Sequence, residues 1–481
     1  FFKLFSSNLL RFKMKTNQYL EQQIKEIVSR VDPSSSTHGD IDTCKVLYEL
    51  AYILEWGESE FRLVDFLSKR FDISKRLFLA YFANGHKATD LEITDNTYLE
   101  LVIAIILKSV LMRQDGFSVE VRLKSFNTLF KALDIIKPEW LLSESALRVE
   151  VEVVWQSLVK ELDGTTNDLK ISSIPRSHAR SSNEVHKVIP LTMLFYEGPI
   201  ARAYLATLNN LGFRPKKIIE LIAKKDVATK KVVGKWLPKG LRLAYASSIQ
   251  RNKMHYWPKQ LLKANFNIVN EISNEVQTRF GFEKAVIDNA TALLPLASYS
   301  DCVESILVEG LNDKNLQKYL SEESSGALLY TGGGIVPSTL LELKHIKFLH
   351  IHPGFLPDIR GADCALWSSL LKGRTSATCF YMSPGIDTGN IINACWLPEL
   401  SFNVDMADTN VHSIYRIVYG FIDPWIRAFV LRDLVNNYDA LDALDALDAL
   451  YQSEDDGTTF HFMHQRLRDV TFEKLFKEVE V

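Results

Sequence analysis

Several things are scarce in this 481-residue chain, and each scarcity removes a class of function. Charge of one sign is scarce: 56 Lys and Arg stand against 59 Asp and Glu. No global field therefore draws the chain to nucleic acid or to an anionic membrane, and any polyanion site has to be local. The five cysteines, Cys44, Cys302, Cys364, Cys379 and Cys395, form no CxxC and no even framework. That argues against a zinc cluster or a disulfide scaffold and points to a reducing, cytoplasmic setting. Long apolar runs are missing as well. The most apolar stretch, LELVIAIIL from Leu99 to Leu107, carries Glu100 inside it and is far shorter than the roughly 20 residues a membrane helix needs, so no membrane span is expected. No serine or cysteine stands in a GxSxG elbow, and TGGG at 331–334 lacks the GxGxxG spacing of a dinucleotide site.

What remains is an ordinary globular composition, 47% hydrophobic and 24% charged, long enough for two or three domains. The first residues, FFKLFSSNLLRFKMKTNQ, lack acidic side chains in the manner of a transit peptide. We read residues 1–13 instead as upstream sequence, with Met14 a natural start. Between 41 and 160, segments such as CKVLYELAYILEW and VRLKSFNTLFKALDII repeat apolar positions every three or four residues, which predicts an all-helical domain over 1–162. Residues 163–186 lose periodicity and gain Ser, Thr, Asn and Pro, as a linker does.

The character then changes. KVIPLTMLF reads as a buried strand closed by Gly198-Pro199, IARAYLATLNNLGF as a helix stopped at Gly212, and RPKKIIELIA as a second strand. After an insertion over about 226–300 the alternation resumes through VESILVEG, NDKNLQKYLSE, GALLYTGGG, PSTLLELKH and IKFLHIH. Such a succession predicts an α/β domain over 187–430, a doubly wound and mainly parallel sheet whose ligands bind beyond the carboxyl ends of its strands. His350 and His352 lie at one such end. Side chains alternate along a strand, so both should project to one face with Ile351 packed behind. Asp387, between Gly385 and Gly389, is the best orienting carboxylate for a histidine. With no nucleophile elbow, direct acyl transfer suits these groups better than a covalent acyl-enzyme. The same three side chains also compose the two-histidine, one-carboxylate set of a metal site, or a site that is only structural.

The stretch YTGGGIVPSTLLELKHIKFLHIHPGFLPDIRG, followed by ALWSSLLKG and ATCFYMSPGIDTGNII, resembles the formyltransferase domain that uses 10-formyltetrahydrofolate, shared by methionyl-tRNA, amino-sugar and glycinamide-ribotide formyltransferases. The resemblance covers roughly 187–430 and includes the upstream FYEGPIARAYLATLNNLG. It implies that His352 and Asp387 manage protons while an amine attacks the formyl carbon and an oxyanion develops. It also implies that the Gly-rich segment, with Gly333, Gly334, Ile335, Val336 and Pro337, lies near the folate pterin, and that the Asp387 loop, with Gly385, closes the other side. The chain departs from the motif Asn-x-His-x-Ser-x-Leu-Pro twice, with His350 at the asparagine and Gly354 at the serine. A histidine N–H can donate to an oxyanion as an amide can, with a pH dependence near a pKa of about 6.5.

The acceptor is read from charge. From Leu431 to Val481 twelve acidic and five basic residues give −7, with the low-complexity DALDALDALDAL expected to form an exposed helix or a spacer. A tRNA-binding appendage should be basic, so a small-molecule amine is preferred over tRNA. The ten Lys and Arg between Arg214 and Arg242 are read as a solvated insertion face, Arg360 as a loop ion pair, and His461 and His464 as docking residues. The expected activity is formyl transfer to a sugar, nucleotide or amino-acid-like amine. A formyl hydrolase and a folate-binding regulatory module are the alternatives. A protein partner or a second copy would meet the helical N-terminal domain.

Overall fold

The computed structural model describes residues 118–130 in part, 146–163, 186–226, 229–404, 411–437, 444–453 and 456–477. Most of the expected helical domain and of the linker therefore lies outside the described residues. The described residues fall into two compact units, one holding those up to Asp163 with His464–Leu467, the other holding the rest. In the first unit, helix α1 (Ala146–Asp163) contributes the buried Trp155. The Trp155 ring meets Phe126 at a centroid distance of 5.3 Å and Phe130 edge-to-face at 5.2 Å, while the Arg466 guanidinium lies 4.5 Å from the Phe130 centroid. Aromatic pairs and a cation over a ring are favoured by the ring quadrupole.

The second unit is built on strands β1 (Lys187–Phe195), β2 (Phe213–Ala223), β3 (Val303–Val308), β4 (Gly326–Tyr330), β5 (Ile346–His352), β7 (Ser376–Tyr381) and β8 (Ile391–Trp396), with the short β6 (Ile359–Gly361) set apart. The main sheet has the order β3-β2-β1-β4-β5-β7-β8. Its first five strands are parallel, and β7 and β8 complete it antiparallel. Pro190 sits inside β1, and the register with β2 shifts between Ile189 and Thr192, as expected where one residue has no N–H to give. The chain winds from β1 outward through β2 to β3, then returns to β4 and on to β5, so the crevice of a doubly wound sheet falls between β1 and β4.

Both faces are covered. On one, Leu194, Ile219, Leu328, Ile346 and Phe348 pack with Leu316 and Leu320 of helix α7 (Lys314–Ser321) and Leu340 of α8 (Ser338–Leu341). The other carries α2 (Pro199–Asn210) and α11 (Asp423–Asn437), which pack on each other. There Leu191, Leu329, Leu349 and Ile351 meet Leu431 and Leu434. The insertion is helical, α3 (Lys239–Met254) through α6 (Lys284–Ala292). In its α5 (Phe266–Phe280), Ile268, Val269, Ile272, Val276 and Phe280 are buried, an apolar stripe at helical spacing. Its His255 reaches the end of β1: Glu197 accepts from Arg202 Nε and Nη2, at 2.9 and 2.7 Å, and lies 2.9 Å from His255 Nε2. Burial alone would raise the Glu197 carboxyl, but these bonds outweigh it and hold it at about 2. Among the described residues no helix is long and apolar enough to cross a membrane.

The C-terminal segment differs from expectation. Residues 444–449 of the repeat are turn and coil, and Leu444 and Leu447 are buried at 2% and 8% exposure. Leu444 shares an apolar pocket with Leu431, Leu434 and Val435 of α11, a better home for its side chain than water. Tyr381 ties the segment down, its hydroxyl donating to the Leu444 carbonyl and accepting from Leu447 N–H, each at 2.9 Å. Beyond it, β10 (Thr458–Phe460) pairs in parallel with β6. Leu444→Ala is accordingly expected to cost about 2–4 kcal/mol of unfolding free energy in urea titrations, where an exposed spacer would lose almost nothing.

Candidate active site

The paired register of β4 and β5 ends at Leu329↔Leu349, and the carbonyls of Tyr330 and Ile351 lie just past it. Buried carbonyls need donors. His350 Nδ1 takes the Tyr330 carbonyl at 3.1 Å, and Arg427 of α11 donates to the Ile351 carbonyl. The Arg427 Nη1 atom also stands 3.5 Å from His350 Nε2. Its Nε donates to Asp423 Oδ2 at 2.9 Å, one helical turn away, and the Asp423 side chain is fully buried. Burial first, then the Arg427 charge, pushes the His350 imidazole down to about 4.

His352 is 3% exposed. Its Nε2 lies 3.2 Å from the Ile359 carbonyl and its Nδ1 lies 3.4 Å from Asp387 Oδ2. A carbonyl can only accept, so Nε2 carries the proton and Nδ1 of the neutral ring is an acceptor. Burial lowers the His352 pKa, and the opposing pull of Asp387 does not offset it. The ring and the carboxylate thus present two acceptors to each other, an arrangement that calls for a donor N–H to serve both.

Asp387 adopts φ 54°, a left-handed conformation that Asp tolerates better than most residues. Three contacts hold it there: Gly361 N–H donates to Oδ2 at 3.0 Å, Gln452 Nε2 donates to the Asp387 carbonyl at 3.0 Å, and Gln452 donates also to the Gly389 carbonyl. Arg360 is buried and donates to Gln452 Oε1 at 3.2 Å and to the Ser453 carbonyl at 2.6 Å. Through these two acceptors it braces the C-terminal segment. His461 offers its backbone carbonyl to Trp367 Nε1 at 3.0 Å.

The Gly-rich segment forms the loop between β4 and α8. The Tyr330 hydroxyl donates to the Gly333 carbonyl at 2.7 Å, Gly334 takes φ 91°, and Pro337 caps α8. The Val336 side chain turns into the core, whereas Ile335 is 76% exposed. Gly385, at φ 128°, lies in the exposed turn before Ile386, which is 46% exposed. A side chain at Gly354 has no room. Its Cβ would fall 2.4 Å from the Ile359 carbonyl oxygen and 2.7 Å from His352 Nε2, so the departure to glycine goes with the close approach of β6. The nearby Cys364 thiol is pushed well up by burial and then by the carboxylates of Asp387 and Asp363, which makes it a poor nucleophile. Among the described residues no three His, Cys, Asp or Glu side chains are grouped to hold a metal ion. Sequence reading missed Arg427, Asp423 and Gln452, which no motif marks.

Fold and site together define an α/β protein with a histidine–aspartate pair at the carboxyl end of a central strand. No protein-family model matches the chain. It is similar to the methionyl-tRNA formyltransferase of Syntrophus aciditrophicus (strain SB), 34% identical over 86 residues, which are 17% of this chain and 27% of that protein. It is also similar to the methionyl-tRNA formyltransferase of Orientia tsutsugamushi (strain Boryong), 23% identical over 140 residues, 28% of this chain and 43% of that protein. The chain thus spans about a quarter of the length of the first relative, at 27%. Among solved structures, an N-formyltransferase from Helicobacter canadensis in complex with folinic acid and dTDP-3-aminofucose aligns over 60% of this chain and 80% of its own, with 12% identity and a TM-score of 0.30. The formyltransferase PseJ from Anoxybacillus kamchatkensis, in complex with tetrahydrofolate and a formylated UDP-sugar, aligns over 33% and 75%, with 20% identity and a TM-score of 0.21.

Two outcomes are expected from this geometry. The unfolded His350 imidazole titrates near 6.5 and the folded one near about 4, so the unfolded state binds the extra proton in between. Stability present above pH 6.5 should fall as pH drops through that window, and the fall should shrink in His350→Asn, as urea titrations at several pH values will read. Gly354→Ser should cost about 1–3 kcal/mol by overpacking, and NMR should show the His352 Nε2 proton signal moved or lost.

Proposed function

We propose that the chain is a formyltransferase that passes the formyl group of 10-formyltetrahydrofolate to the amine of a small metabolite. The observation that carries the reading is the His352–Asp387 pair, two acceptors 3.4 Å apart on a fixed strand end, which suits an attacking amine that must be held and deprotonated. The similarity to relatives named as formyltransferases supports the reaction class. The loops fit a folate: Ile335 and Ile386 offer exposed apolar surface on glycine-bearing loops, as a flat heteroaromatic ring needs on its faces. When bound, the folate supplies the activated formyl carbon.

The chain's own residues then manage position and protons. Asp387 and His352 Nδ1 both accept from the amine, which orients its lone pair. As the new N–C bond forms, the amine proton passes to Nδ1, while Nε2–H stays on the Ile359 carbonyl. The lowered pKa of His352 keeps the ring unprotonated, and so able to act, at neutral pH. The imidazolium formed is then stabilised by the Asp387 carboxylate and can return its proton to the leaving nitrogen. A small acceptor is preferred because the −7 balance over 431–481 would repel a polyphosphate chain.

The test is turnover of 10-formyltetrahydrofolate by the purified chain against a panel of nucleotide-linked amino sugars, amino acids, a ribosylated amine and aminoacyl-tRNA. Amine-dependent release of tetrahydrofolate is expected, with loss of about 10²–10⁴-fold in His352→Ala. Release without any amine would make the protein a hydrolase, and binding of a folate analogue without turnover would make it a binding module.

A further inference from the structure

Two cationic or ionisable groups stand at the end of β5, and the geometry gives them different tasks. His350 Nδ1 faces the Tyr330 carbonyl, which can only accept, so that nitrogen carries the proton. The other nitrogen faces Arg427 Nη1 at 3.5 Å, and a guanidinium can only donate. His350 therefore has no N–H to spare for a ligand. Protonating Nε2 as well would set two cations side by side. The remaining neighbours do not change this: His352 on the same strand is neutral, Phe380 of β7 packs edge-on at 6.0 Å, and the Asp387 charge pulls the other way but does not prevail.

Arg427 is differently placed. Asp423 holds Nε and the Ile351 carbonyl holds Nη1, so the guanidinium is fixed from a helix and a strand at once. The buried Tyr204 hydroxyl of α2 also lies beside the guanidinium, and the Arg427 side chain keeps 12% of its surface exposed.

We propose that Arg427, rather than His350, meets the negative charge that develops in this site: its guanidinium donates to the oxygen that gains the carbonyl electron pair when an amine attacks, while fixing His350 as a neutral, accepting spacer. The role at the oxygen rests on the formyl-transfer reading. The assignment of the His350 tautomer does not.

The experiment compares Arg427→Met, Arg427→Lys and His350→Ala in the full chain, with the double variant Asp423→Asn/Arg427→Met as the control for an unpaired buried carboxylate. Readouts are kcat, KM, affinity for a folate analogue, and ¹⁵N spectra of labelled histidine. Arg427→Met and the double variant should both lose about 10²–10³-fold in kcat, the usual cost of an oxyanion donor, with folate-analogue affinity nearly unchanged. Arg427→Lys should fall between them and wild type, and His350→Ala should lose less than Arg427→Met. Wild-type His350 should show a protonated Nδ1 and a lone pair on Nε2 at pH 6, and its titration should move upward in Arg427→Met. Near-wild-type kcat in Arg427→Met, or a larger loss in His350→Ala, would overturn the proposal. So would a protonated Nε2 on His350 at neutral pH. If no amine supports turnover, the formyl-transfer reading and with it the oxyanion role fail, whereas the histidine spectra still decide the pairing of Arg427 with His350.

Discussion

Two backbone carbonyls decide what the histidines can do. A neutral imidazole has one proton and one lone pair, and whichever nitrogen faces an obligate acceptor must hold the proton. The Tyr330 carbonyl takes Nδ1 of His350 and the Ile359 carbonyl takes Nε2 of His352, so the two rings are fixed in opposite tautomers. Side chains alone would leave this open. Here it follows from where strands end: β4 and β5 stop pairing at Leu329↔Leu349, which frees the Tyr330 carbonyl, and β6 passes close enough to present Ile359.

That close passage depends on the C-terminal segment. β10 pairs with β6 in the register Thr458↔Ile359 and Phe460↔Gly361. The contact tolerates no Cβ at two positions, since one on Gly361 would lie 2.1 Å from the Phe460 carbonyl oxygen and one on Gly457 1.7 Å from that of Pro357. Gln452 extends the same segment to the Asp387 carbonyl. An extension outside the alternating strand–helix pattern thus fixes both partners of the His352–Asp387 pair, the proton on one and the loop conformation of the other. Donors placed by rigid backbone give the preorganisation that proton transfer in a dry site requires.

Much of this was legible in the sequence. Each apolar run between 187 and 352 read as a strand is one in the structure, because buried parallel strands are written as continuous β-branched and leucine-rich runs. The two-residue spacing of His350 and His352 and the glycines around Asp387 marked the pair for the same local reasons. Arg427 lies seventy-five residues beyond His352 in DPWIRAFVLRDLVNN, a helix buried almost all round, where an arginine carries no periodic signal. Gln452 follows a low-complexity repeat whose composition suggested solvent. In both cases the information is tertiary: a partner carbonyl or carboxylate supplied by a distant element gives the residue its role.

The Arg427 guanidinium also bears on the metal alternative left open by the residue types. A divalent ion held by His350 and His352 with Asp387 would need lone pairs of both rings directed at one point. The His350 lone pair is directed instead at a fixed positive charge 3.5 Å away, and His352 offers its own toward Asp387. A second cation placed between them would meet the guanidinium, whose pKa is raised rather than lowered because Asp423 and nearby phenols outweigh its burial. The arrangement therefore favours a ligand that brings N–H donors to the His352 side and developing negative charge to the Arg427 side, which is the polarity of an amine adding to a carbonyl.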